Sequence, residues 1–177
     1  MQMEQRFAQE VRATGRTLSG YVARFDNEAS IGGFTEVIRR GAFRASLDSG
    51  ADILALADHD SGKVLGRTRS GTLELHEDAE GLAFTLSLPD TQSGRDLVAL
   101  AQRGDLGGCS FGFTVDADGE SWNGTRRELR SVQLHEVSIV QSWPAYANTT
   151  VNLRHRNPDI AEMQLALMRY WLETTAR

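Results

Sequence analysis

The chain has 177 residues, 40% of them hydrophobic and 24% charged, a size and composition suited to one domain with a single core. A net charge of −5 argues against a broad nucleic-acid-binding face, and no apolar run reaches the roughly 20 residues of a membrane span. With Cys109 as the one cysteine, an intramolecular disulfide and a cysteine-based zinc site are both excluded.

The opening Met1-Gln2-Met3-Glu4-Gln5-Arg6 lacks the apolar stretch of a secretory signal, so synthesis in the cytoplasm is expected. Residues 1–16 read as a flexible leading segment, and the ordered part is expected to begin with a strand over 17–25. A second short strand follows over 34–38. Phe43 and Leu47, four apart, predict a helical turn that ends at Asp48-Ser49-Gly50. The apolar run Ile53-Leu54-Ala55-Leu56 suits a buried strand and delivers Asp58-His59-Asp60. Strands over 64–67 and 72–75 flank the turn Arg69-Ser70-Gly71.

The clearest strand is Leu82-Ala83-Phe84-Thr85-Leu86-Ser87-Leu88, whose large apolar residues alternate until Pro89 stops it. Asp90-Thr91 then starts a helix through Leu97, Leu100 and Ala101, closed near Gly104. Phe111, Phe113 and Val115 alternate in the next strand, a polar hairpin region spans 116–123, and Arg126-Arg127-Glu128-Leu129-Arg130 reads as a solvated strand or hairpin edge. Residues 132–140 and 151–153 are the last strands. Asn157-Pro158 opens a final helix whose broad apolar surface must bury against something. Strands outnumber helices, which predicts a β-rich α+β domain and not a doubly wound sheet.

The stretch Gly108-Cys109-Ser110-Phe111-Gly112 matches the G-x-S-x-G elbow of α/β-hydrolases, but that motif needs a helix directly after the serine. Here the period after Ser110 is that of a strand. Ser110 is therefore either a nucleophile carried on a strand, in the chain order His…Ser, or a glycine-flanked serine in a tight strand pair. A serine hydroxyl needs a base, a group that orients the base, and donors for the oxyanion. Four histidines compete for the role of base. His59 lies between two aspartates at the end of a buried strand. His76 lies in an exposed-looking turn, His135 in the strand over 132–140, and His155 in an arginine-rich linker. Strict alternation puts Glu136 and Ser138 on one face of their strand with Val132, Leu134 and Val140, and His135 on the other. Glu136 is then a carboxylate on an apolar face, which demands a partner. Asp58, His59 and Asp60, read as consecutive strand residues, cannot converge on one ion, and no clustered metal-ligand spacing or phosphate-binding glycine loop occurs. Neither a metal nor another cofactor is expected.

With His59, Ser110 and Glu136 in view, residues 18–154 resemble the tailed-phage prohead (capsid maturation) serine protease family. The resemblance rests on Ile38-Arg39-Arg40-Gly41-Ala42-Phe43 with Ser46-Leu47, Asp58-His59-Asp60, Val64-Leu65-Gly66-Arg67, Gly81-Leu82-Ala83-Phe84 with Leu88-Pro89-Asp90-Thr91, Gly104-Asp105-Leu106 leading into Ser110-Phe111-Gly112-Phe113, and Leu134-His135-Glu136-Val137-Ser138-Ile139-Val140 followed by Pro144-Ala145-Tyr146. Each segment is weak alone; their order together is specific.

The resemblance implies a fold like the herpesvirus assembly proteases, a β-barrel flanked by a few helices. It implies a protease domain over 17–155, and the broad apolar surface of the helix over 156–177, which carries no residue matched to the catalytic motifs, suits packing or assembly. His59 becomes the general base, Ser110 the nucleophile and Glu136 the orienting acid, with His135 as the alternative third member. The implied activity is that of a serine endopeptidase cleaving scaffold or the N-terminal extension of the major capsid protein, and itself, inside the immature capsid in the bacterial host cytoplasm. Capsid protein and scaffold would be its partners, with room for a homo-oligomer and no role for nucleic acid or membrane. The gene could belong to a phage, a prophage or a gene transfer agent. A non-catalytic assembly protein with the same fold, and a small-molecule esterase, are the competing readings. Asp58 stands where the family often has asparagine, His135 where it has an aromatic or aliphatic residue, and Gln141-Ser142-Trp143 is about one residue longer than usual. The short C-terminal part suits a compact enzyme without a fused scaffold domain.

Overall fold

Alternation every second residue carries most of the described residues into strands, and two of their segments form helices. A computed structural model describes residues 3–8 and 11–141. The strand expected over 151–153, the segment 144–146, His155 and the helix expected over 156–177 lie outside the described residues. In chain order the elements are β1 (Glu4–Ala8), β2 (Val11–Thr14), β3 (Thr17–Arg24), β4 (Glu28–Ile31), β5 (Phe34–Ile38), α1 (Arg44–Asp48), β6 (Leu54–Ala57), β7 (Asp60–Arg67), β8 (Leu73–Glu77), β9 (Gly81–Ser87), α2 (Gln92–Arg103), β10 (Gly108–Thr114), β11 (Glu120–Asn123), β12 (Arg126–Leu129) and β13 (Gln133–Val140).

The strands form three sheets, with spatial orders β1-β10-β13-β6-β7, β11-β12-β5-β4 and β2-β3-β9-β8. The domain is β-rich as expected, but a closed barrel is not what these strands make. Each sheet is open, and in the five-stranded one β1 and β7 remain as edges. The chain changes sheet after short runs, β1 to β2 and β5 to β6 among them, and among the described residues no strand joins the two edges.

The leading segment also departs from expectation, since β1 and β2 fall within residues 1–16. Glu4-Gln5-Arg6-Phe7 shows little apolar alternation. What binds β1 is a full antiparallel ladder with β10 together with ion pairs, neither of which shows in a hydropathy pattern.

One core lies between the layers. Leu82, Phe84 and Leu86 of β9 are almost wholly buried, as their alternation predicts. Each such side chain contributes about 1.5–3 kcal/mol by leaving water. Phe43, just before α1, packs edge-on against Phe111 with ring centres 5.6 Å apart, and Phe111 stacks on Phe113 at 5.4 Å. These aromatics fix the core side of β10. The helix α2 starts where the sequence places it: Thr91 Oγ1 accepts from Gly94 N at 3.3 Å, a cap contributing about 1 kcal/mol. It stops at Gly104, whose φ of +77° suits glycine best.

Candidate functional site

The site is built where β6, β13 and β10 lie side by side: β13 pairs in parallel with β6 and antiparallel with β10. Ala57 pairs with Asp60, leaving Asp58 and His59 as the two residues of a tight hairpin turn. Their φ angles, +49° and +60°, are both left-handed, as a primed two-residue turn requires. They are thus not consecutive strand residues. The turn reverses the chain and folds His59 back towards β13.

Left-handed backbone at non-glycine residues costs roughly 1–2 kcal/mol each, and here hydrogen bonds offset it. Asp58 N donates to Ile139 O at 3.1 Å. Gln141 donates to both carboxylate oxygens of Asp58, from its backbone N at 2.9 Å and its Nε2 at 2.6 Å. A carboxylate can accept both bonds, while an asparagine would offer one oxygen and an NH2. Asp58 therefore substitutes well for asparagine in this turn. His59 N donates to Ser138 Oγ at 3.2 Å.

The His59 ring reaches Glu136, with Nδ1 2.7 Å from Oε1. Because a carboxylate accepts, Nδ1 carries the proton, and the neutral ring has its lone pair on Nε2. Glu136 is buried and its other oxygen, Oε2, accepts from the fully buried Ser138 at 2.5 Å. Both oxygens of this buried carboxylate are thus partnered, which is the condition for keeping it there.

Ser110 is the cross-strand partner of Ser138, and Gly112 that of Glu136. Directly opposed positions have Cβ atoms about 4.5–5.5 Å apart, so Ser110 is one strand over from the His59–Ser138–Glu136 group on the same face. Its hydroxyl does not donate to His59. It donates to Arg6 O on β1 at 2.7 Å, and Ser110 is buried, with 4% exposure.

One expectation about faces needs correcting. Strict alternation puts Leu134 and Glu136 together and His135 opposite, but β13 carries an extra residue. Gly112 pairs with Glu136 while the next residue, Phe113, pairs with Leu134. His135 is a bulge, and it flips the parity. Leu134 faces the core with Phe113. His135 comes round to the side of Gly112 and Thr114, where its Nε2 lies 2.9 Å from Thr114 Oγ1. It shares a face with Glu136 after all, yet it pairs with Thr114 and Glu136 takes His59.

Cys109 points the other way, into the core opposite Ile139. Burial, with the charge of Glu136 adding to it, pushes its thiol far above the ordinary range, so it is no thiolate at neutral pH. His76 is on β8 and exposed. Among the described residues no group of three His, Cys, Asp or Glu side chains could hold a metal ion, and no helix is long and apolar enough to cross a membrane.

A buried ionic clasp beside the site escapes the sequence reading. Arg6 donates to both oxygens of Glu36, at 2.6 and 2.7 Å. Arg127, read as part of a solvated edge, is buried: it bonds Glu36 at 3.0 Å, Glu4 at 2.6 and 2.8 Å, and Glu120. Burial opposes ionisation of Glu4, but Arg127 and Arg6 prevail and hold its pKa below the usual carboxylate value. The clasp ties β1 to β5 and β12, and hence holds Arg6 against Ser110. A charge run in which alternate residues face opposite ways was the available signal.

A serine and a buried carboxylate on adjoining strands and a histidine in the turn beside them, in the chain order His, Ser, Glu, are the residue types of a serine hydrolase. The chain belongs to the Caudovirus prohead serine protease family, whose model matches residues 3–164. No curated protein and no solved structure matches it. Family membership makes this a serine-class protease of the phage prohead, working among capsid proteins. The match begins before β1, which agrees with β1 being part of the domain.

Proposed function

We propose that the chain is the serine endopeptidase of capsid maturation, with Ser110 as nucleophile, His59 as general base and Glu136 as the group that orients His59. The observation that carries this reading is the His59 Nδ1–Glu136 Oε1 contact of 2.7 Å, which sets the imidazole in the tautomer a general base needs. Ser110 first leaves the Arg6 carbonyl and turns its proton to His59 Nε2. Its oxygen then attacks the scissile carbonyl, and His59 passes the proton to the departing amine. Water, deprotonated by the same nitrogen, releases the acyl group. The substrates are scaffold or the N-terminal extension of the major capsid protein, with cleavage of the enzyme's own chain afterwards, in a fold related to the herpesvirus assembly proteases.

The protease proper would take in β1 and β2 together with residues 17–155, and 156–177 would serve packing or assembly. Co-expression with the cognate capsid protein tests the proposal. Wild type should shorten the capsid protein, and Ser110→Ala and His59→Ala should leave it intact while still folding. Processing by Ser110→Ala overturns it. Fluorophosphonate labelling without capsid cleavage would favour an esterase, and neither activity would favour an inert assembly protein.

A further inference from the structure

We propose that Gly112 and Ser138 are positioning residues that together seat the Glu136 carboxylate, and that this seat, resting on the serine-protease reading above, holds His59 in its working orientation. Two independent observations meet on this one group. Ser138 Oγ donates to Glu136 Oε2 at 2.5 Å and accepts from His59 N at 3.2 Å, so one buried hydroxyl fixes both the carboxylate and the backbone of the histidine. On the other side Gly112 leaves the room: a Cβ built on it would lie 2.6 Å from Glu136 Oε1, 3.1 Å from Cγ and 3.2 Å from Cδ.

The first of those distances is shorter than any real Cβ contact, and the carboxylate has nowhere to retreat. Oε1 is held by the His59 ring and Oε2 by Ser138, so a shift large enough to clear a methyl group breaks one of the two bonds. Gly112 is not needed here for backbone freedom, since its φ is not among the left-handed ones. It is needed for its missing side chain. Ser138 is fully buried and faces Ser110 across the ladder, so its hydroxyl is spent within the site and none of it on solvent.

The test pairs kinetics with proton NMR of the full chain. An imidazole N–H donating to a carboxylate gives a low-field proton signal, and Glu136→Gln, which removes the carboxylate, identifies it. Ser138→Ala and Gly112→Ala should each abolish or move that signal. They should also lower kcat on a capsid-derived peptide about tenfold to a hundredfold, the usual scale for partners that orient a reacting group, with KM within about twofold. Leu97→Ala, a core truncation in α2, should lower Tm but leave the signal where it is, which separates seating from general stability.

Retention of both signal and kcat in either alanine variant that folds overturns the role of that residue. If Ser138→Ala does not fold, Gly112→Ala alone decides whether the carboxylate is seated. The signal does not depend on turnover. A wild-type chain that shows it, loses it in both variants and yet cleaves nothing would overturn the protease reading and leave the seat standing.

Discussion

Two carboxylates of this molecule are both buried and, on the proposed mechanism, kept for opposite purposes. Glu36, 2% exposed, is gripped by the guanidinium groups of Arg6 and Arg127; Glu136, 5% exposed, is held by an imidazole and a hydroxyl. Arginine never gives up its proton in a protein, so the bond set around Glu36 is permanent. Histidine gives and takes a proton near neutrality, so the bond set around Glu136 can follow a reaction. Burial makes each group dependent on its partners, and the choice of partner decides whether the result is a fastening or a chemical device.

The sharpest test of that contrast is activity. Ser110→Ala and His59→Ala should each lower proteolysis by about three to six orders of magnitude with unchanged circular dichroism. Glu136→Gln should cost about two to four orders of magnitude, because a neutral amide neither fixes the Nδ1–H tautomer nor stabilises the imidazolium. His135→Phe should cost less than about tenfold, since its partner is Thr114. A larger loss for His135→Phe than for Glu136→Gln would reverse the two assignments.

Stability should rank the regions the other way. Arg127→Ala leaves Glu36 and Glu4 to Arg6 alone and takes the Arg127 bond from Glu120, and removing one partner of a buried ion group typically destabilises by about 3–5 kcal/mol. For a chain of this size that lowers Tm by about 6–20 °C. Glu136→Gln should change Tm much less, because no arginine is left facing a neutral group. Equal losses in the two variants would break the comparison.

A smaller effect should appear in acid. Because the folded pKa of Glu4 lies below its ordinary value of 4.5, its contribution to stability is complete above that value and disappears as pH falls through the folded pKa. Denaturant midpoints measured between about pH 5 and pH 3 should therefore fall more steeply for wild type than for Glu4→Gln. Parallel curves would show that Glu4 is not coupled to folding. The smallest effect belongs to Cys109→Ala, which should leave proteolysis unchanged and lower stability by about 1 kcal/mol for the apolar volume lost. Inactivation would move the nucleophile from Ser110 to Cys109.

These contrasts also mark what could be read from the residues alone. Alternation located β9 and β10, the Thr91 cap and Gly104 bounded α2, and strand parity rightly put Glu136 with Ser138 on one face. The same parity failed at Leu134, because one bulged residue inverts everything before it and leaves no trace in hydropathy. Likewise ion pairs bind β1 and Arg127, and charged residues look solvated until their partners, up to 123 positions away, are known. The turn at Asp58-His59 was not legible, and those residues read as a strand end, since nothing local forces two non-glycine residues into left-handed backbone. Barrel closure failed for a related reason: it depends on which edges meet, and no single segment encodes that.

The bond from Ser110 to Arg6 spans 104 positions of sequence. β1 is made early, yet its ladder partner β10 and its clasp partner Arg127 come more than a hundred residues later. Contacts of such separation are slow to form because a long loop must close before they are rewarded. A nascent chain that stops short of β10 and Arg127 therefore holds β1 without either partner, and the resting environment of the serine depends on segments far apart in the sequence.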